Sequence, residues 1–511
     1  MGHIYQQRKT APSQTAKLVP ATKWLLSFGF AAAIGVCACD DQTGPGVVDA
    51  ALDALNRADG GEEIDGRLWL PDGSGVDANA DGGPPPDSLG TAIAGAIERL
   101  SAETCFRRAD VSMCDWGDFE YSPTRFSIAQ DTREAILVVD DFSTLPTFAI
   151  RYQNRIKAFL RASPSGRFEA VRAVWRVPVA LHEVLTRFAT AQFISAKSLG
   201  SLREPIVNAF GRHGADATGH GSQVLSMLVE ANPHHGLVLV DQISLAKLAP
   251  TDFCASGDPE ATVRLRTLAR RVADDLRRVM KELGVHFVNF SAGQTRASVQ
   301  SDWQRHCSVP LAGTDVLDAR LGAYEPIMTS LFGTPGVFAA NAAINASDRE
   351  SFPYDWPAPQ YSNRMRAGYF TALASGLDPS GRGTFPVDSA WPARSNVDVY
   401  LNSGVLAQRP FPYNDTPLLQ VDEYGVDIFP ITQTTTSWIT PLLLSRFIHA
   451  RHTQGAGRPM TNELISELRD VIVPPLCPQL DEARCVFQDP LLHGQIEAVR
   501  LLPSLYGRAT P

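Results

Sequence analysis

"AILVVDD", Ala135 to Asp141, is five consecutive apolar residues followed at once by two carboxylates. A half-buried antiparallel strand would alternate polar and apolar residues. An unbroken apolar run of this length instead suits a strand covered on both faces, as in a parallel sheet flanked by helices. In such folds the chemistry gathers beyond the carboxyl ends of the strands, where Asp140 and Asp141 stand. Outward from there come "GLVLV" (Gly236 to Val240), a similar run, "VHFVNFSAG" (Val285 to Gly293), a strand running into Ser291 and Gly293, and "GVFAA" (Gly336 to Ala340), a further strand. Between the first two of these lies an amphipathic helix, with Leu265, Leu268, Val272, Leu276, Val279 and Leu283 at helical spacing and Gly284 placed to end it. The expected fold class is α/β, a mostly parallel central sheet with helices on both faces.

The chain of 511 residues is 44% hydrophobic and 20% charged, enough for one large domain or two ordinary ones. Its first residues read as an export signal: Arg8, Lys9, Lys17 and Lys23 precede an apolar run of about 13 residues, Trp24 to Val36, which is short for a spanning helix. The run ends in "VCACDD", which resembles the lipobox of bacterial lipoproteins and makes Cys39 the expected acylated residue; Cys37, preceded by Val36, fits less well. Residues 40–90 hold twelve acids against Arg57 and Arg67 and read as a disordered Asp/Gly/Pro-rich tether. The tether sums to −10 and the leader to +4, so the formal −9 of the chain leaves only −3 for residues 91–511. The acidity belongs to the tether. No basic stripe or aromatic platform suggests a nucleic-acid partner.

Six cysteines follow the leader: Cys105, Cys114, Cys254, Cys307, Cys477 and Cys485. An even count in an exported chain suggests disulfides, and of 15 connectivities the simplest pairs Cys105 with Cys114, Cys477 with Cys485 and Cys254 with Cys307. Metal binding is the weaker reading, because no CxxC or HExxH spacing occurs.

Two more stretches carry chemistry. "TGHGSQVLSMLVEA" (Thr218 to Ala231) sets His220 between glycines at the start of a helical pattern. "TTTSWITPLLLSRF" (Thr434 to Phe447) sets Ser437 ahead of an apolar helix, with Pro441 expected in its first turn.

The order Asp, His, Ser in these surroundings resembles the subtilisin-like serine proteases, the subtilases. "VVDDF" matches the family's aspartate motif at Asp140. "HGSQVLS" matches HGTHVAG at His220, "VNFSAG" matches VNMSLG at Asn289 to Gly293, and "TTSWITP" matches GTSMATP at Ser437. The likeness spans about residues 132–505, making residues 91–131, with Cys105 and Cys114, an N-terminal extension. It implies a subtilisin-like three-layer fold and a serine endopeptidase acting on protein or peptide substrates, held at the membrane by a lipid anchor. Asp140, His220 and Ser437 would form its triad. It also implies an asparagine as oxyanion donor, Asn345 or, alternatively, Asn341, and a substrate-pairing strand edge at Ser291, Ala292 and Gly293, with Gly293 leaving room for the P1 side chain. No cofactor or metal is expected; structural calcium is common in the family, but no EF-hand-like acidic run occurs here. Thr435 stands where the family has glycine, Trp438 and Ile439 replace Met and Ala, and Phe142 replaces a glycine after the aspartate motif. These departures leave a second reading open, a catalytically silent relative that binds extended peptides.

Overall fold

The structure, a computed structural model, describes residues 86–122, 134–190, 193–210, 219–233, 235–344, 351–354, 361–370, 397–402, 419–430, 435–473 and 485–486. Cys37, Cys39, Asn345, Cys477 and most of the 40–90 tether lie outside them, so the expectations for those residues stay as they are.

Nine strands form the central sheet: β1 (Ala135–Asp140), β2 (Ile156–Ala162), β3 (Phe168–Ala170), β4 (Gly236–Asp241), β5 (Val285–Phe290), β6 (Phe338–Ala342), β7 (Arg364–Phe370), β8 (Val399–Asn402) and β9 (Cys485–Val486). Their spatial order is β9-β8-β7-β6-β5-β1-β4-β2-β3. Every neighbouring pair is parallel except β2 with β3. The chain first builds outward from β1 on the β4 side and then crosses to β5 on the other, so the strand order reverses at β1. Ligands of open α/β sheets bind at such a reversal. The fold class read from the sequence holds.

β1 is buried along its whole length, and its alternate residues serve two different cores. Ile136 and Val138 pack on one face with Val224, Leu228, Leu443 and Phe447. Leu137 and Val139 pack on the other with Leu265, Leu268, Val272 and Leu276. The first core is built with helices α1 (Pro86–Ala102), α2 (His220–Ala231) and α5 (Thr436–Thr453), the second with α3 (Pro259–Leu283) and α4 (Glu325–Gly333). Helix α3 has the amphipathic pattern expected of it and ends where Gly284, at φ 66°, takes the left-handed cap.

Two boundaries differ from the sequence reading. Helix α1 starts at Pro86, inside the stretch assigned to the tether, and Ala96 and Leu100 are fully buried in the first core. Helix α5 starts at Thr436, so Pro441 lies in its second turn and not its first. A proline there has no N–H for the carbonyl four residues back, which is that of Ser437.

The roughly 80 residues between Asp140 and His220 contribute β2 and β3 to one edge of the sheet, together with a strand, Val174–Pro178, that pairs antiparallel with Trp116–Glu120. Disulfides join Cys105 to Cys114 and Cys254 to Cys307, as the simplest pairing anticipates.

Candidate active site

Asp140 closes β1 and is 2% exposed. Its Oδ1 accepts hydrogen bonds from His220 Nδ1 at 2.7 Å and from the Asp141 N–H at 2.7 Å. His220 is the first residue of α2. Two glycines bring the helix this close to the strand. Gly219 turns the chain at φ 94°, a region unfavourable for side chains. At Gly221 a Cβ would stand 2.8 Å from the Asp141 carbonyl oxygen, which instead accepts the Gly221 N–H at 3.2 Å. Burial works against a charged His220, but the charge and hydrogen bond of Asp140, with the charge of Asp141, outweigh it and hold the imidazole pKa above its ordinary value.

Ser437 is the second residue of α5. Its hydroxyl donates to the Ser291 carbonyl at 2.9 Å, just beyond the end of β5. Since β5 and β1 are neighbours, this seats Ser437 beside the Asp140–His220 pair. The indole of Trp438, the next residue, stacks on the His220 ring with centroids 4.8 Å apart and planes 30° off parallel. Structure therefore brings Asp140, His220 and Ser437 to one place, although the Ser437 hydroxyl is turned to Ser291 and not to the imidazole.

The Ser437 N–H is also engaged. Thr435 is the N-cap of α5, and its Oγ1 accepts from Ser437 N at 3.0 Å. A threonine hydroxyl at this position is a normal helix cap. Glycine, which the resembled motif has here, could not make that bond. The signal was present in the sequence as a hydroxyl residue just before a helix, but its consequence for the Ser437 N–H was not.

The expected substrate edge is partly filled. Ser291 is buried, and its hydroxyl accepts from the Asn289 amide at 2.8 Å. At Gly293 the side chain of Ile344 occupies the space, with its Cγ1 only 2.7 Å from where a Cβ would lie, so the room anticipated there for a P1 side chain is taken. A narrow recess beside Ala292 and Gly293, lined mainly by apolar and aromatic groups that include Phe290, Tyr324, Met328 and Tyr354, has a free volume of only ≈ 20 Å³, room for about one water. Asn341 is fully buried in β6, and its amide donates to the carbonyls of Phe290, at 3.4 Å, and Ala292, at 3.3 Å. Its amide is thus directed into the neighbouring chain segment.

Among the described residues, one group suits a metal ion: Glu134, His235 and His452. Glu134 and His235 immediately precede β1 and β4, at the opposite ends of those strands from Asp140. No helix among the described residues is long and apolar enough to cross a membrane.

No protein-family model matches this chain. No curated protein matches it either. Among solved structures it is similar to the nisin leader peptidase NisP of Lactococcus lactis, at 13% identity and a TM-score of 0.32, over 72% of this chain and 89% of that one. It is also similar to a psychrophilic protease, S41, at 10% identity and a TM-score of 0.30 over 69% and 88% of the two chains. A third is Pseudomonas sedolisin, a serine-carboxyl proteinase, at 10% identity and a TM-score of 0.28 over 69% and 86%. Likeness at this level leaves the activity to be argued from the chain's own side chains.

Proposed function

We propose that this chain is an exported, lipid-anchored serine endopeptidase of the subtilisin type, with Asp140, His220 and Ser437 as its triad. The observation that carries the reading is the Asp140–His220 hydrogen bond of 2.7 Å at the reversal point of a parallel sheet, with Ser437 seated on the adjacent strand end. A carboxylate can only accept, so His220 Nδ1 donates, which leaves Nε2 as the basic nitrogen. That tautomer is the one a general base needs.

In the proposed reaction, substrate displaces the Ser437 hydroxyl from the Ser291 carbonyl. Oγ attacks the scissile carbonyl carbon while His220 Nε2 takes its proton, and Asp140 stabilises the imidazolium. The carbon–nitrogen bond then breaks as His220 returns the proton to the leaving amine. Water, activated by the same imidazole, hydrolyses the acyl-enzyme. Negative charge on the tetrahedral intermediate needs N–H donors. The Ser437 N–H can serve once it leaves Thr435, and Asn345 is the better second candidate because the Asn341 amide is committed to Phe290 and Ala292. The disulfides accord with an oxidising, extracytoplasmic site of action.

One observation favours a second reading, a silent relative that holds extended peptides: both donors of Ser437, hydroxyl and N–H, are bound elsewhere. A fluorophosphonate probe separates the two. The protease reading expects labelling of the wild type that is lost in both Ser437→Ala and His220→Ala. Folded wild type that takes up no more probe than Ser437→Ala would exclude an activated serine and leave peptide binding.

A further inference from the structure

Glu134, His235 and His452 come from three separate elements and meet at the amino ends of the strands. Glu134 leads into β1, His235 leads into the adjacent β4, and His452 lies in the last turn of α5. One ligand atom from each lies within 4.8 Å of the others. Nε2 of His235 and Nε2 of His452 face each other at 2.9 Å. His235 is 3% exposed, and Glu134 Oε2 is buried without a hydrogen-bond partner. Arg451 donates to the other oxygen, Oε1, from Nε at 3.1 Å and Nη2 at 2.7 Å.

We propose that Glu134, His235 and His452 bind a divalent transition-metal ion of the zinc class. A hydrogen bond between the two imidazoles uses one proton and leaves the buried Oε2 unsatisfied, whereas one cation would satisfy two ring nitrogens and that oxygen together. Two imidazoles with one carboxylate favour zinc and its neighbours over calcium or magnesium, which prefer oxygen-only sets. Zinc–nitrogen bonds of about 2.0–2.1 Å at a tetrahedral angle put the two nitrogens about 3.4 Å apart, so the rings need separate only slightly from their present contact. Three protein ligands leave a fourth position for water. Arg451 then acts as the outer partner that orients Glu134.

The role of such an ion is structural. Helix α5 carries Ser437 at its start and His452 near its end, roughly 22 Å apart at the helical rise of about 1.5 Å per residue. The metal would clamp the far end of that helix to the starts of β1 and β4. It takes no part in bond cleavage, and the assignment does not depend on the chain being a protease.

The test uses the full-length protein, stripped with a chelator and titrated with Zn²⁺ by calorimetry, alongside melting with and without Zn²⁺. One equivalent should bind and the melting temperature should rise. Affinity should fall on the order of 100-fold or more in His452→Ala and in Glu134→Gln. His452 is exposed, so its replacement leaves the core intact, and circular dichroism of each variant checks folding. A wild type that binds no Zn²⁺, or that binds it as tightly after either substitution, would overturn the assignment.

Discussion

Asp140 and His220 face each other across 2.7 Å, each held by its own backbone, whereas Ser437 gives its hydroxyl to Ser291 and its N–H to Thr435. The two halves of the candidate site were built by different means. The acid–base half forms between a strand end and a helix start that two glycines bring together, and its partners are a carboxylate and a base that attract one another. The nucleophile half sits at a helix start whose N-cap competes for the donor that an oxyanion would need. In this structure the pair that tunes the proton is assembled, while the groups that would meet substrate are satisfied internally. A bound carbonyl would have to replace two existing hydrogen bonds, each with a net worth of about 1 kcal/mol.

The sharpest way to break this contrast is Asp140→Asn. The amide can donate to His220 and favour the wrong tautomer, so kcat should drop about 10⁴-fold, measured as peptide hydrolysis at fixed pH. A drop smaller than tenfold would mean that the Asp140–His220 bond serves packing and not proton transfer.

Thr435→Gly attacks the other half. Freeing the Ser437 N–H from the Thr435 hydroxyl should raise kcat toward the on-the-order-of 10²-fold worth of one oxyanion donor, while stability falls by only a few tenths of a kcal/mol. Thr435→Ser, which keeps the hydroxyl, should behave like wild type. If glycine and serine give the same rate, the cap does not withhold the donor.

Asn341→Ala asks whether the buried amide is structural. Loss of its bonds to Phe290 and Ala292 should destabilise the protein by about 1–3 kcal/mol in denaturant unfolding, with kcat preserved in the folded fraction. A collapse of kcat at unchanged stability would instead make Asn341 the oxyanion donor.

The smallest expected effect is on pH. Because Asp140 outweighs burial and raises the His220 pKa above 6.5, the base is freed only as pH climbs past that raised value, and activity should rise along this limb. Asp140→Asn should move the limb to lower pH. Stability runs the opposite way: the pair's contribution is complete below the unfolded pKa of about 6.5 and is lost as pH rises through the folded one. Proton titration of His220 by NMR in both proteins gives the comparison directly.

Much of the sheet could be read from the chain because β1 and β4 are continuous apolar runs up to their closing aspartates, as suits a doubly covered strand. β7 could not be read that way. Its "RMRAGYF" begins with two arginines that are nonetheless buried: Arg366 pairs with Asp398 at 3.1 Å, and Arg364 lies over the rings of Phe332 and Tyr361. Tyr361 is three residues from Arg364, but Asp398 and Phe332 each lie 32 residues from the arginine they meet, and no local pattern announces them. The same holds for the Glu134, His235 and His452 group, which no motif spacing marks.

By itself the sequence determined which residue types stand at the strand ends and helix starts, because apolar periodicity, glycine and proline act locally. It placed Asp140, His220 and Ser437 at such positions. Only the tertiary structure decided which partner each polar atom meets. The Ser437 hydroxyl and the Ser291 carbonyl are 146 residues apart in the chain, and Ile344 fills the space beside Gly293. A hydrogen bond is made or lost over a few tenths of an ångström, and that distance is set by how whole elements pack, which no stretch of sequence contains alone.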